Sequence, residues 1–552
     1  MPFFDKLHCR TNGNQSVITY QLSPIPNHFV GEKKLCMEKE TDEIKTIESV
    51  KVLRLWRMIF LGKGSLIRQI LHAIISIALR LFFRRIEAVN AEKVPESGAI
   101  IFVLNHPNGL VDPALVFVSL ARRVSFLAKS TLFEIPISGF LLRTFEILPV
   151  ARRVDTGNDM SKNRMTFQNC FDLLVQGRCI AIFPEGISHN ETKLQPLKTG
   201  AARIALGALG IEEEEKRRRG EEEKSSESSA AADGLASSEG QISGSQNPQS
   251  QIPNPKSLKI MAVGLYYTSK TAFRSEALIR YGELIEVAPV ALDENGEPPR
   301  EAVHALNAKI ETALRKVTLN LESERELDTI LKAEALFSSV YENLLFKNTL
   351  TQNFNRLQSL AEKYALLEKN DPQKMRELGE KVQKYETELA TSGVTSESLS
   401  VLQHPTAYVF RYLILRLLFL IFLAPLAIVG AIIHSPAYLF SNLLGQTVTT
   451  HDVDAAGSSS KIIAAMIFMP VTWLIVALTM LYFYGWQIAL ISIPVTLLCG
   501  YIALRSSEML IDLNVWIKSA WLLFRQRALF LRLLIRRETL QKEIGEIIET
   551  EK

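Results

Sequence analysis

Three apolar runs toward the C-terminal end constrain this chain more than any other feature. LLFLIFLAPLAIVGAII (417–433), IIAAMIFMPVTWLIVALTMLYF (462–483) and WQIALISIPVTLLCGYIAL (486–504) contain no Asp, Glu, Lys or Arg. A bilayer core takes about 20 apolar helical residues, so the last two are long enough to cross it. A soluble helix of that length would normally carry a charge on its outer face. The chain is expected to be an integral membrane protein.

The flanks of this region pose a parity problem. Arg411 and Arg416 precede it, and Arg505, Lys518, Arg525, Arg527, Arg532, Arg536 and Arg537 follow it. Basic flanks favour the cytoplasmic face, and three full crossings cannot put both flanks there. The shortest run holds Pro425 and is followed by HSPAYLFSNLLG, which predicts a re-entrant or in-plane hairpin over 417–445. The transmembrane hairpin would then span 462–504 and turn at Tyr484-Gly485. The basic segment 511–552, with Trp516 and Trp521 nearby, is expected to rest on anionic lipid as an amphipathic tail.

Elsewhere the composition is permissive. A length of 552 residues leaves room for several domains, and a net charge of +4 gives no reason to expect a nucleic-acid partner. Cys9, Cys36, Cys170, Cys179 and Cys499 are scattered without C-x-x-C spacing, so neither a metal site nor a disulfide framework is expected. Residues 1–50 lack the pattern of a secretory signal and read as a poorly ordered leader. Within 51–86, Ser65, Arg68, Gln69, His72, Ser76, Arg80 and Arg84 recur every three or four positions among Leu, Ile, Phe and Ala. That spacing predicts a helix with a polar stripe and a wider apolar face, lying in a membrane surface with its arginines among lipid phosphates, the favoured reading, or packed as an ordinary core-facing helix of a soluble domain.

Within an expected domain 87–290, residues 99–286 alternate short apolar strands with helical stretches, the pattern of an α/β layer. Strands are predicted at 99–104, 124–128, 145–150, 179–183, 259–267 and 278–282, with helices at 112–122, 131–143, 160–176 and 199–209. The stretch 212–257 moves from EEEEKRRRGEEEK into Ser, Gly, Gln and Pro, and reads as a disordered insertion. Residues 291–400 predict three or four charged amphipathic helices with a break at Asn370-Asp371-Pro372.

The chemistry-bearing residues lie at predicted strand ends. NHPNGLVDP (105–113) follows the first strand, and its Pro and Gly rule out a straight helix between His106 and Asp112. LPVARRVD (148–155), FPEGISH (183–189) and LQPLKTGAARIAL (194–206) follow or flank others. Ligands of α/β sheets gather at the carboxyl ends of strands, so these stretches are expected to share one crevice.

NHPNGLVDP, LPVAR, FPEGIS and VGLYY, in that order, resemble the glycerol-3-phosphate and 1-acylglycerol-3-phosphate acyltransferase family. FRSEALIRYGELIEV (273–287) and the apolar C-terminal region are similar to its longer membrane-bound branch. The resemblance implies an acyltransferase-type mixed sheet flanked by helices, followed by a helical segment and a C-terminal transmembrane helical region. It implies transfer of a fatty acyl group from an acyl thioester, on CoA or acyl-carrier protein, to a hydroxyl of a phosphorylated glycerol acceptor. No resident cofactor or metal is expected, and the catalytic domain would face the cytoplasm.

In that reading His106 is the general base, and Asp112 fixes its tautomer and stabilises the imidazolium. Asn105, Arg152, Glu185, Gly186, Lys198 and Thr199 form the expected substrate-binding set. Arg152 and Lys198 would hold the phosphate, Glu185 would accept a hydrogen bond from the acceptor hydroxyl, and Gly186 would allow close backbone approach. The family's commonest spacing has four residues between His and Asp, whereas here there are five. No G-x-S-x-G elbow is present, which disfavours a lipase or thioesterase. The alternative from a different class is a lipid-binding scaffold that kept this fold without activity.

Overall fold

The computed structural model describes residues 66–134, 136–151, 161–210, 258–294, 296–337, 349–396, 399, 406–449 and 454–549. The expected leader at 1–50, the insertion at 212–257 and Arg152 lie outside the described residues.

Among the described residues seven strands form one sheet: β1 (Arg85–Val89), β2 (Ile100–Leu104), β3 (Val124–Lys129), β4 (Leu148–Val150), β5 (Cys179–Ile182), β6 (Lys259–Tyr267) and β7 (Glu276–Glu286). Their order is β1-β7-β6-β2-β5-β3-β4. Every neighbouring pair is parallel except the antiparallel β6–β7. The sheet is therefore mixed. β2 lies centrally and is buried at every position, which suits its unbroken run of Ile, Phe, Val and Leu. The expected strand at 145–150 shrinks to three residues, because a helix runs on to Thr144 before it. β1 has no counterpart in the sequence reading. RIEAV alternates charged and apolar residues on a half-buried edge beside β7.

The flanking helices are α1 (Leu66–Phe82), α2 (Val111–Ser119), α3 (Pro136–Thr144), α4 (Ser161–Val175) and α5 (Gly200–Gly210). One sheet face is covered by α4, α5 and α6 (Arg300–Val317) through Leu174, Ala205, Ile310 and Leu314; the other takes α1 and α2 through Leu79, Phe82, Leu115 and Val116.

The orientation of α1 corrects the sequence expectation. Its polar stripe faces the protein: Arg68, His72 and Ser76 are buried. Arg68 pairs with Glu146 at 3.4 Å and lies over the rings of Phe117 and Phe145, while His72 packs on Phe117. The outward stripe is Ile67, Ile70, Ile74, Ile77 and Leu81. The arginine is drawn inward because a carboxylate and two aromatic faces satisfy it there. What α1 offers outward is hydrocarbon over most of its length, with Arg80 exposed in its last turn.

Among the described residues, α6, α7 (Glu324–Phe337), α8 (Leu350–Asn370) and α9 (Pro372–Ser392) follow the sheet. Asp371 caps α9 through the Lys374 amide, with Pro372 at the first turn. Beyond them run α10 (Thr406–Thr449), α11 (Asp454–Tyr484), α12 (Trp486–Arg525) and α13 (Arg527–Glu549). Stretches of α10, α11 and α12 are long and apolar enough to cross a membrane.

α13 does not present a lipid-facing tail. Phe530, Leu533, Leu540 and Ile544 are buried in a core shared with α7, α8 and α9. Arg537 donates to the Leu336 and Ser396 carbonyls, Arg536 pairs with Glu388, and Lys381 pairs with Glu543 at 2.8 Å. Arg536 and Arg537 find carboxylate and carbonyl acceptors in the helical unit, where the sequence expectation had lipid phosphates.

The α11–α12 hairpin turns at Gly485, whose φ of +85° suits a residue without a side chain. Contacts along α10 place each of its segments at a depth on this hairpin. Phe410 meets Phe524 and Tyr412 meets Trp516, about 58 and 46 Å from the turn at 1.5 Å per residue. Gly430 abuts the Cys499 carbonyl, and His434 accepts from Trp473 Nε1 at 3.0 Å, at depths of about 21 and 18 Å. The chain then recedes, with Phe440 against Phe468 and Gly445 against the Lys461 side chain, about 26 and 36 Å from the turn. α10 is an arch, with Pro425 and Pro436 in its middle. Both of its ends lie toward the open end of the hairpin.

Candidate active site

β2, β5, β3 and β6 are parallel, so His106, Glu185, Lys129 and Tyr267 all belong to their carboxyl-end edge. Asn105 fastens the turn after β2 to β6: its Nδ2 donates to the Leu265 carbonyl at 3.1 Å and its Oδ1 accepts from the Leu265 amide at 2.8 Å. Its side chain is spent within the sheet edge, which distinguishes it from the substrate contact expected from the sequence.

The turn 105–110 feeds α2, which carries Asp112 in its first turn. Pro113 is tolerated there because the first amides of a helix have no intrahelical acceptor. His106 Nδ1 lies 2.8 Å from Asp112 Oδ2. The fifth intervening residue therefore leaves the carboxylate within reach. Asp112 is fully buried and its charge is offset by further donors: the Asn108 amide to Oδ2 at 2.8 Å and the Tyr267 hydroxyl to Oδ1 at 2.5 Å. Burial, then the Asp112 charge, push the Tyr267 phenol well above its ordinary range, so it stays a donor.

The His106 ring stacks on Phe183, with centroids 4.0 Å apart and planes at 19°. Carboxylate and aromatic face together fix the ring. With Nδ1 as the donor to Asp112, Nε2 remains available as a base at the side chain's partly exposed edge.

Glu185 differs from the sequence expectation. Its carboxylate is completely buried; Oε1 accepts from the His106 amide at 3.0 Å, and Oε2 accepts from the Gln195 amide at 2.8 Å and lies 2.5 Å from His189 Nε2. The His189 amide in turn donates to the His106 carbonyl at 3.2 Å. The carboxylate ties the FPEG turn to the His106 turn, and its oxygens are already engaged by the protein.

Gly186 adopts φ +75°, and a Cβ built there would stand 2.3 Å from Lys198 Nζ. The lysine ammonium thus lies directly over the glycine backbone, while Lys198 as a whole is exposed and Thr199 is half-buried just ahead of α5. These groups form a cationic rim beside a helix N-terminus. Ala151 is the last described residue after β4, so the expected role of Arg152 has no geometry here.

Tyr267 and Phe183 are site residues that the sequence reading did not single out. Both lay inside quoted stretches, VGLYY and FPEG, but their roles depend on strand adjacency. β6 pairs with β2 so that Leu104 faces Val263, which carries Tyr267 along the turn that holds His106. Lys129, at the end of β3, is a further cation on this edge.

The fold and this site define an acyltransferase domain: residues 85–212 match the family model described as Acyltransferase. Residues 335–552 match the model described as the glycerol-3-phosphate acyltransferase 2 C-terminal domain, so the chain combines an acyltransferase domain with that C-terminal domain. It is 24% identical over 452 residues to glycerol-3-phosphate O-acyltransferase 1 of Saccharomyces cerevisiae, covering 66% of this chain and 53% of that protein. It is 27% identical over 287 residues to glycerol-3-phosphate O-acyltransferase 2 of the same yeast, covering 51% of this chain and 32% of that protein. A shorter stretch of 128 residues is 32% identical to a probable 1-acyl-sn-glycerol-3-phosphate acyltransferase 5 of Arabidopsis thaliana, covering 22% of this chain and 32% of that protein. The chain thus spans about half the length of the first of these relatives and about a third of the second.

Proposed function

We propose that this protein is a membrane-bound acyltransferase that moves a fatty acyl group from a thioester to a hydroxyl of glycerol 3-phosphate. The observation that carries the reading is the relay from Tyr267 through Asp112 to His106, which ends at an imidazole Nε2 on the carboxyl edge of the sheet. His106 takes the hydroxyl proton as the acceptor oxygen attacks the thioester carbonyl. The tetrahedral intermediate collapses with rupture of the C–S bond, and the imidazolium returns the proton to the departing thiolate. Asp112 stabilises the imidazolium while it exists, and no acyl-enzyme is required.

Lys198, together with Arg152, would hold the acceptor's phosphate, and holding two substrates in register supplies much of the rate. Glu185 is a positioning residue in this scheme, since its oxygens hold the His106 amide and the 185–195 turn. Glycerol 3-phosphate is preferred as acceptor because the C-terminal family match and the yeast relatives carry that name. 1-Acylglycerol 3-phosphate is the second reading, favoured by the Arabidopsis similarity. Acyl chains gain about 0.8 kcal/mol per CH₂ by staying in lipid, which fits a catalyst with an outward apolar stripe on α1. The catalytic domain would face the cytoplasm.

The test is transfer from labelled acyl-CoA by the full chain in detergent, with both acceptors offered, for wild type, His106→Ala and Asp112→Asn. Loss of transfer in His106→Ala and a fall of about 100-fold or more in Asp112→Asn are expected. Undiminished transfer by His106→Ala would overturn the mechanism.

A further inference from the structure

The helix that carries Asp112 is capped by a residue from the membrane hairpin. Leu110, the residue just before α2, has helical backbone angles, and its side chain supplies no cap. The first amides of a helix need outside acceptors. In the catalytic turn the His106 and Asn108 amides are bound by Glu185 and Asp112, and those of Val111 and Asp112 by the Asn108 carbonyl. The Leu110 amide instead donates to Ser459 Oγ at 3.1 Å, from a residue 349 positions later in the chain. Ser459 is buried in the first part of α11.

This contact sits within a wider docking surface. Lys461 Nζ donates to the Thr271 carbonyl at 3.3 Å, Ile462 and Met466 join the apolar core under α2, and Tyr438 of the arch packs against Phe273. Asn108 Nδ2 reaches the Lys270 carbonyl at 3.3 Å, so the catalytic turn and the strap at 270–273 are held together and against the membrane helices.

We propose that Ser459 is a positioning residue of the active site, supplied by the membrane region to fix the start of α2 and thereby the Asp112–His106 geometry. The inference rests on the acyl-transfer reading above. It assigns the C-terminal region a part in building the site beyond anchoring it. The Leu110 amide lies inside the turn that joins His106 to Asp112 and reaches the hairpin through Ser459.

The experiment compares the full-length protein in detergent as wild type, Ser459→Ala, Ser459→Thr, Lys461→Met and His106→Ala, with acyl-CoA and glycerol 3-phosphate. Loss of a helix cap predicts a fall in kcat of about 3- to 10-fold for Ser459→Ala with KM unchanged, and recovery in Ser459→Thr. Amide exchange in a peptide covering 108–112 should speed up in Ser459→Ala and not in Ser459→Thr. Lys461→Met removes a contact of the same docking surface that does not touch the catalytic turn, and should keep the wild-type kcat. Wild-type kcat and exchange in Ser459→Ala, or an equal fall in Lys461→Met, would overturn the proposal. Full activity in His106→Ala would instead overturn the underlying acyl-transfer mechanism.

Discussion

The Tyr267 hydroxyl donates to Asp112 Oδ1 at 2.5 Å, so the carboxylate that orients His106 is itself oriented from β6. Removing the phenolic oxygen in Tyr267→Phe leaves a buried charge with one donor fewer. A hydrogen bond to a charged group is worth ~1.5–3 kcal/mol, which predicts a ~10- to 100-fold fall in kcat with little change in KM. Burial and the Asp112 charge hold the phenol protonated, so deprotonation of Tyr267 should add no break to the wild-type rate profile between about pH 6 and 9. Steady-state kinetics across pH for both proteins checks this, and an unaltered kcat in Tyr267→Phe would contradict it.

Gly186 and Lys198 make a second pair that can be tested directly. Gly186→Ala forces a side chain into φ +75° at a cost of ~1–2 kcal/mol and drives Lys198 Nζ from its place. The expected result is a several-fold rise in KM for the phosphorylated acceptor, with KM for the thioester unchanged. Lys198→Ala should reproduce the acceptor effect without the loss of thermal stability. Equal effects on both substrates would remove Lys198 from the phosphate site.

The two faces of α1 predict opposite phenotypes. Ile74 is exposed, so Ile74→Glu should leave the melting temperature in detergent nearly unchanged and reduce activity on bilayer-embedded acceptor. Arg68→Leu removes the contacts with Glu146, Phe117 and Phe145 and should destabilise the fold by ~1 kcal/mol or more in detergent itself. Thermal unfolding and vesicle-based activity, measured on both variants, separate the two. A stable Arg68→Leu would mean that the buried stripe contributes nothing.

The arch in α10 predicts an even number of crossings. Single cysteines placed at exposed Glu283 in the sheet domain and Lys542 in α13 should label from one face of sealed vesicles. A cysteine at exposed Tyr484, beside the hairpin turn, should label from the opposite face. Lys542→Cys reacting together with Tyr484→Cys would mean that α10 crosses fully.

Much of this was legible in the sequence because it depends on local pattern. The charge-free runs, the β strands with apolar content and the turn residues of NHPNGLVDP each act within a few residues, and KIMAVGLYY was predicted with the bounds that the strand has. β1 was missed because an edge strand of mixed polarity carries no apolar run. The direction in which α1 faces was misread for a related reason: periodicity separates two faces and does not say which one a carboxylate such as Glu146 will draw inward. α13 was taken for a lipid tail on composition alone, since its acceptors on α7 and α9 are remote in the chain.

By itself the sequence determined the kinds of element, their order, and that His106 and Asp112 share a turn, since hydrophobic periodicity and backbone sterics operate over short distances. Only the tertiary structure decided which distant groups complete the site: Tyr267 on Asp112, Glu185 on the His106 amide, and Ser459 on Leu110. Those contacts arise because each buried donor or acceptor must find a partner wherever strand pairing and helix docking bring one, and no local pattern encodes that choice.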